Sequence, residues 1–287
     1  HLIYIRFYTK FFKDLGLINF DEPALRYFTQ GIVKGADGNR MSKSKGNVVE
    51  PQDTISNYGA DSLRLYLMSA SSPDNDFDWD ANGIHSSFKF LNKVYDYFSN
   101  FKPGKSDGRV ESRINKSTKE ITALIENFKH NLAIIKIKEL FDYLSERKFD
   151  KKTAETFVKL LHPFCPHLTE ELWQNLGNKN FLSLDSWPKV DEKKINEQFE
   201  KEDKAIDDIV NDVNNILRIV KEKGRSPVRL YLYPVPKEME TYENNTKTIE
   251  KRTGLSVKIF SVSDAKRHDP ENKSKKAKPG RPGIYLE

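Results

Sequence analysis

The 287-residue sequence predicts a mainly α protein with α/β parts, and three observations lead there. Five consecutive segments between residues 84 and 176 repeat apolar side chains at helical spacing. After Trp187-Pro188 that rhythm gives way to alternating helix and strand patterns. A composition of 37% apolar, 31% charged and 11% aromatic residues suits packed cores, being too apolar for a disordered polymer and too charged for a membrane protein.

Apolar residues nearly encircle a predicted helix from Leu2 to Leu15, and Gly16 ends it. A short strand is expected around residues 28–34, followed by Gly35-Ala36-Asp37-Gly38-Asn39, residues that tolerate the left-handed backbone of a tight hairpin. Helix resumes from about Glu50. The five helical segments are marked in turn by Ile84, Phe88, Leu91, Val94 and Phe98; by Ile114, Ile121, Leu124, Ile125 and Phe128; by Leu132, Ile135, Leu140, Phe141 and Leu144; by Phe157, Leu160 and Leu161; and by Leu168, Leu172, Trp173 and Leu176. Together they make a helical bundle. Pro163 and Pro166 break the fourth segment, and Thr169 is the expected N-cap of the fifth, with Glu170 and Glu171 against the positive end of its dipole. Ile206, Ile209, Val210, Val213, Ile216, Leu217 and Val220 then mark an amphipathic helix. A strand over 228–234, a polar helix from about 238 to 253, and strands over 255–262 and 283–286 complete a small α/β domain.

Lys and Arg total 48 against 42 Asp and Glu, a net charge of +6, and the local balance is −1 over residues 1–100, +2 over 101–200 and +5 over 201–287. A basic bias favours a polyanionic partner, although solvated lysine faces give the same totals. Lys266 to Pro282 concentrates the excess and reads as a mobile basic loop. The single cysteine, Cys165, rules out an internal disulfide or a cysteine metal cluster. No apolar run reaches the ~20 residues needed to span a bilayer, and the opening residues lack the order of a signal peptide, so the expected location is cytoplasmic. The sequence opens inside an apolar run without methionine, so further chain is expected upstream.

Arg40-Met41-Ser42-Lys43-Ser44-Lys45-Gly46-Asn47 places three cations and two hydroxyls in eight residues directly after the glycine turn. Cations and hydroxyl donors on such a loop suit a triphosphate, because ammonium groups neutralise the charge that builds on a leaving pyrophosphate and glycine lets the backbone approach. A solvated basic hairpin has the same composition.

The string resembles the KMSKS signature of class I aminoacyl-tRNA synthetases, present here as Arg40-Met41-Ser42-Lys43-Ser44. Its surroundings are similar to the leucyl members: Thr29-Gln30-Gly31, Gly46-Asn47-Val48-Val49-Glu50-Pro51, Tyr58-Gly59-Ala60-Asp61-Ser62-Leu63-Arg64 and Asp76-Phe77-Asp78-Trp79. Leu160-Leu161-His162-Pro163-Phe164-Cys165-Pro166-His167-Leu168-Thr169-Glu170-Glu171-Leu172-Trp173 resembles the anticodon-binding domain of the leucyl, isoleucyl, valyl and methionyl group. The resemblance implies the end of a Rossmann-type catalytic domain with a stem-contact segment over 1–83, a helical-bundle anticodon-binding domain over 84–195, and a small C-terminal α/β tRNA-binding domain over 196–287. It implies an ATP site on Arg40, Met41, Ser42, Lys43, Ser44 and Lys45, with Lys43 as the catalytic residue; arginine at position 40 keeps the charge of the usual lysine but not its compact ammonium. Implied partners are leucine, ATP with Mg²⁺, tRNA(Leu), and the catalytic portion that carries the family's other ATP signature, absent from this sequence. Without that portion the chain is expected to be inactive. For tRNA, the expected contacts are Lys266, Arg267, Lys273, Lys275, Lys276, Lys278 and Arg281. Alternatives are a valyl or methionyl fragment, or a non-catalytic RNA-binding relic.

Other candidates have plainer readings, and no metal site is expected. His162, Cys165 and His167 fit a proline-interrupted bend between helices better than a metal site. Asp74, Asp76, Asp78 and Asp80 alternate like a calcium loop but lack its glycine and distant glutamate, leaving a surface turn. Asp61 and Arg64 are spaced for a helical ion pair, and Trp173 and Trp187 are expected in the core.

Overall fold

The structure is a computed structural model describing residues 1–287, and the chain divides into two compact units, 1–192 and 193–287. In the first unit α1 (Leu2–Asp14) forms where expected, with Arg6, Lys10 and Lys13 making one polar stripe among its apolar residues, and left-handed Gly16 (φ +71°) follows its end. Its only buried residue is Thr9, while Leu2, Ile3, Tyr4, Phe7 and Tyr8 are each more than half exposed. Arg6 with Glu22 at 2.7 Å, and Lys10 with Asp21 at 3.4 Å, hold the helix against the segment that follows it.

The strand expected over 28–34 shortens to β1 (Val33–Lys34), which runs parallel to β2 (Phe77–Asp78). The reason lies just before it. Gly31 N–H is taken by the Pro73 carbonyl at 2.7 Å and Ile32 N–H by Asp76 Oδ1 at 2.8 Å, so both N–H groups are spent on the 73–76 loop and only the Ile32 carbonyl, accepting the Phe77 N–H at 3.2 Å, reaches the ladder. Only glycine fits at 31, where a Cβ would lie 2.0 Å from the Asn75 carbonyl oxygen. Helices α2 (Pro51–Tyr58) and α3 (Ala60–Ser69) meet at Gly59, whose φ of +82° makes the corner.

All five predicted bundle helices form: α4 (Ala81–Ser99), α5 (Gly108–Glu126), α6 (His130–Ser145), α7 (Lys151–Leu161) and α8 (Pro166–Asn175). Asp80, Asp107 and Asp150 cap three of them by accepting the N–H groups of Asn82, Val110 and Thr153. The apolar stripes converge on one core in which Ile121, Ile137, Leu140, Phe157 and Leu161 are fully buried. Each such side chain contributes about 1.5–3 kcal/mol of burial.

Four expectations for this unit are corrected. Thr169 does not cap α8; Cys165 occupies that position, and buried Thr169 bonds back to the Cys165 carbonyl at 2.7 Å from within the helix. Glu170 leaves the dipole to accept the N–H groups of Leu182 and Ser183. Phe128 falls beyond α5 with φ +57°, turning the chain toward α6 and stacking on Phe28 at 4.7 Å. Trp173 is in the core, but Trp187 is 37% exposed and donates its indole N–H to Thr122 at 2.8 Å.

In the second unit α9 (Glu197–Glu222), β3 (Arg229–Tyr233), α10 (Met239–Asn244), α11 (Thr246–Thr253), β4 (Ser256–Ile259) and β5 (Gly283–Leu286) follow in the predicted order, the polar helix breaking at Asn245. The sheet order is β4-β3-β5, with β4 parallel and β5 antiparallel to β3. Alternation sorts its faces: Leu230, Leu232 and Val257 join Ile206, Val213 and Ile249 in the core, and Tyr231, Lys258 and Tyr285 share the other side. No helix of the structure is long and apolar enough to cross a membrane.

The basic segment expected to be mobile is tied down instead. Asp269 accepts the N–H groups of Lys273 at 2.7 Å and Ser274 at 3.0 Å, Arg267 donates to the buried Ser274 hydroxyl at 3.0 Å, and Tyr233 donates to the His268 carbonyl.

Candidate functional site

The glycine turn closes with the Gly35 N–H on the Asn39 carbonyl at 2.8 Å and Gly38, at φ +72°, in the bend. An antiparallel bridge between Lys34 and Arg40 then sets the direction of the cation string. Lys43 to Lys45 form one 3-10 turn, ended by left-handed Gly46 (φ +66°). Arg40, Lys43, Ser44 and Lys45 are exposed, while Met41 and Ser42 are half-buried. The Ser42 and Ser44 hydroxyls bond to each other at 2.8 Å. Arg40, Lys43 and Lys45 take part in none of the chain's ion pairs, so their charge is available to an incoming anion.

Asn47 fastens the base of this loop. Its Oδ1 accepts the Ser42 N–H at 2.9 Å, and its Nδ2 donates to both Asp37 oxygens at 3.2 Å. The Asn39 N–H first, and the Asn47 amide with it, hold the Asp37 carboxyl below its ordinary value. The loop is therefore a lasso, free at its cationic tip and tied at its neck. Neither Asp37 nor Asn47 stands out in the sequence, because ten residues of separation say nothing about two side chains meeting. Below the neck, Lys34 pairs with Asp76 at 3.3 Å; the Ile32 N–H first, then Lys34, keep that carboxyl below its ordinary value too.

Asp61 and Arg64 do not form the expected ion pair with each other. Asp61 accepts from His167 Nδ1 at 2.8 Å and from the Leu168 N–H at 2.7 Å, and Arg64 donates to the Pro163 carbonyl at 2.9 Å. Both join α3 to the corner between α7 and α8. His162 Nδ1 meets Thr169 Oγ1 at 2.8 Å and Cys165 is fully buried, so the His-Cys-His run is a packed corner. Burial pushes the Cys165 thiol up and the His162 imidazole below its ordinary value.

Of the basic side chains in the C-terminal segment, Lys266, Lys275, Lys276, Lys278 and Arg281 are exposed. Arg267 and Lys273 are half-buried: Arg267 is engaged with Ser274 and the Asp264 carbonyl, and Lys273 with Glu271 at 3.1 Å.

Residues 6–80 match the family model of class I tRNA synthetases (I, L, M and V), and residues 107–232 match that of the anticodon-binding domain of tRNA ligases. Leucine–tRNA ligase of Mycoplasma mycoides is 39% identical over 68% of this chain and 25% of its own length. That of Thermotoga maritima is 35% identical over 81% of this chain and 33% of its own. The chain belongs to the class I tRNA synthetases, in the leucyl branch. A solved ternary complex of LeuRS, tRNA and LeuAMS from Agrobacterium radiobacter K84 agnB2 superposes on 68% of the chain and 28% of that protein, with a TM-score of 0.60 and 29% identity. This synthetase chain spans about a quarter to a third of the length of the relatives it matches. Its leucyl relatives favour that branch over a valyl or methionyl one.

Proposed function

We propose that the chain is the portion of a leucine–tRNA ligase that supplies the mobile cationic loop to ATP-dependent adenylation of leucine and holds tRNA(Leu) for the transfer that follows. The observation that carries this is a loop whose Lys43 and Lys45 are exposed and unpaired while Asn47 and Asp37 secure its neck. A leaving pyrophosphate gains negative charge as the α–β phosphoanhydride breaks. An ammonium on a loop that swings as a unit stabilises that charge without being neutralised beforehand by a carboxylate of its own chain. Lys43 fills this role, with Arg40, Ser42, Ser44 and Lys45 as further donors to the phosphates and Met41 as the half-buried residue beside them.

The nucleotide brings Mg²⁺ with it. In this reading the ion is held by the phosphates and by the rest of the enzyme. The remaining catalytic portion, on the same polypeptide or a separate one, supplies the leucine pocket and the opposing ATP contacts. The exposed apolar surface of α1, where Leu2, Ile3, Tyr4, Phe7 and Tyr8 are all open, fits its docking site, since an apolar patch of that size calls for cover by another part of the fold. The bundle and the exposed basic side chains Lys266, Lys275, Lys276, Lys278 and Arg281 face tRNA phosphates, with Arg267 and Lys273 holding their segment in shape. The cytoplasm is where such a ligase works.

The test is Lys43→Ala in the enzyme completed with its catalytic portion, read by leucine-dependent pyrophosphate exchange. A loss of at least about a hundredfold is expected from removing one transition-state donor. Exchange at the parental rate removes Lys43 from the chemistry.

A further inference from the structure

Beside β5 the second unit carries an open groove of about 530 Å³. Ile216 and Val220 of α9, with Ile284 and Leu286 of β5, give it an apolar floor. The hydrogen-bonding state of its wall distinguishes it from an ordinary surface depression. The order β4-β3-β5 leaves β5 at the edge of the sheet. Arg229 and Glu287 exchange both backbone hydrogen bonds, each at 3.0 Å, so every second residue of β5, Tyr285 and Gly283, also directs its backbone toward β3. Ile284 and Leu286 lie at the alternate positions. Their N–H and C=O groups point outward along the groove and have no backbone partner.

The ends of the groove differ. At one end the turn 273–276 closes it, the Lys273 carbonyl lying where a Cβ on Gly283 would be only 2.5 Å away. Charges near it are largely spoken for: Lys273 pairs with Glu271 at 3.1 Å, and Glu287 with Arg229 at 3.5 Å and with the Tyr231 hydroxyl at 2.8 Å. Arg225, exposed at the rim, is in none of the chain's ion pairs.

We propose that this groove takes an extended segment of a partner polypeptide as a fourth strand of the sheet. The added strand pairs its backbone with Ile284 and Leu286, lays alternate apolar side chains on Ile216 and Val220, and sets a carboxylate against Arg225. In the lining Glu271 and Glu287 offset Lys273 and Arg225, so the groove offers an RNA backbone no net positive charge, whereas a peptide can set a single carboxylate against Arg225. Apart from Lys273 the groove shares no residue with the basic side chains assigned to tRNA, so peptide binding here stands or falls apart from that assignment.

The probe is a library of random heptapeptides displayed on phage and selected on the full 287-residue chain, the recovered peptides being titrated as fluorescein conjugates by anisotropy. Recovered sequences are expected to alternate apolar residues and to carry an acidic one toward an end. Leu286→Pro removes an outward N–H without breaking a bond to β3, and should weaken binding about tenfold. Arg225→Glu, on an exposed side chain that makes no hydrogen bond or ion pair in the chain, should weaken it by at least about threefold. Amide exchange supplies a readout that does not depend on the variants: Ile284 and Leu286 exchange faster than Tyr285 in the free chain and slow when peptide binds. The proposal is overturned if no peptide family emerges, if both variants bind like the parent, or if unfractionated tRNA slows those two amides and peptide does not.

Discussion

Asp61 and His167 are separated by 106 positions in the chain and meet at 2.8 Å, Oδ1 to Nδ1, while the second Asp61 oxygen takes the Leu168 N–H at 2.7 Å. One buried carboxylate thus joins α3 to the first turn of α8 in the bundle.

Asp61→Ala leaves the Leu168 N–H without its acceptor and should cost about 1–3 kcal/mol in a urea unfolding series. Asp61→Asn retains one acceptor and should cost less. His167→Ala, on a side chain 75% exposed, should stay within about 1 kcal/mol. A His167→Ala loss equal to that of Asp61→Ala would place the energy in the Asp61–His167 hydrogen bond rather than in the capped amide.

The neck of the loop offers a second prediction. Asn47→Ala should leave the unfolding midpoint nearly unchanged, within about 0.5 kcal/mol, while speeding trypsin cleavage after Lys43 and Lys45. Asn47→Asp, which sets a second carboxylate against Asp37, should speed it at least as much. Gly31→Ala acts lower down: a Cβ 2.0 Å from a backbone oxygen must displace the strand, at about 1–3 kcal/mol. Unaltered cleavage in all three variants would mean that these contacts do not restrain the loop.

Acid should find the α7–α8 corner before it reaches the carboxylates. Burial lowers His162 below its ordinary value, so between the folded and unfolded pKa values the unfolded chain binds more protons. The stability this group contributes is therefore present above the unfolded value of ~6.5 and is lost as pH falls from there through the folded value. His130, lowered by burial in the same way, adds to the slope. Urea midpoints measured between pH 7.5 and 5.5 should fall, and His162→Gln should flatten the fall. Asp37 and Asp76, held low by their hydrogen bonds, should stay ionised throughout and lose their contribution only as pH drops below ~4 through their lowered values.

Changing Lys266, Lys275, Lys276, Lys278 and Arg281 together to glutamine should weaken tRNA binding and reduce the slope of log affinity against log salt, by at most about 0.9 for each phosphate no longer neutralised. Arg267→Gln should behave differently, lowering stability through its bonds to Ser274 and the Asp264 carbonyl. A salt slope unchanged in the five-fold variant would remove this segment from the RNA interface.

How far the sequence could be read depended on the range of the interaction involved. Helical periodicity placed α4 to α9 with little error, because burial of one face repeats every turn. The final strand was legible at its true bounds, 283–286, as a short apolar run set off by Pro282-Gly283. By contrast, Thr169 looked like a cap because its type suits one, but the preceding Pro166 already starts the helix. Phe128 matched the stripe of α5 and left it because the chain must turn there to reach α6.

From sequence alone came the element order, the bundle, the α/β ending, the cationic string and the family it resembles, since each rests on neighbours in the chain or on a contiguous motif. Tertiary structure alone decided that Asp37 and Asn47 close the loop, that Asp61 and Arg64 reach across to the bundle instead of pairing, that seven basic residues divide into exposed and structural ones, and that β5 keeps an open edge. These are contacts between distant positions, and whether two polar groups meet is set by where packing leaves them, which no local spacing encodes.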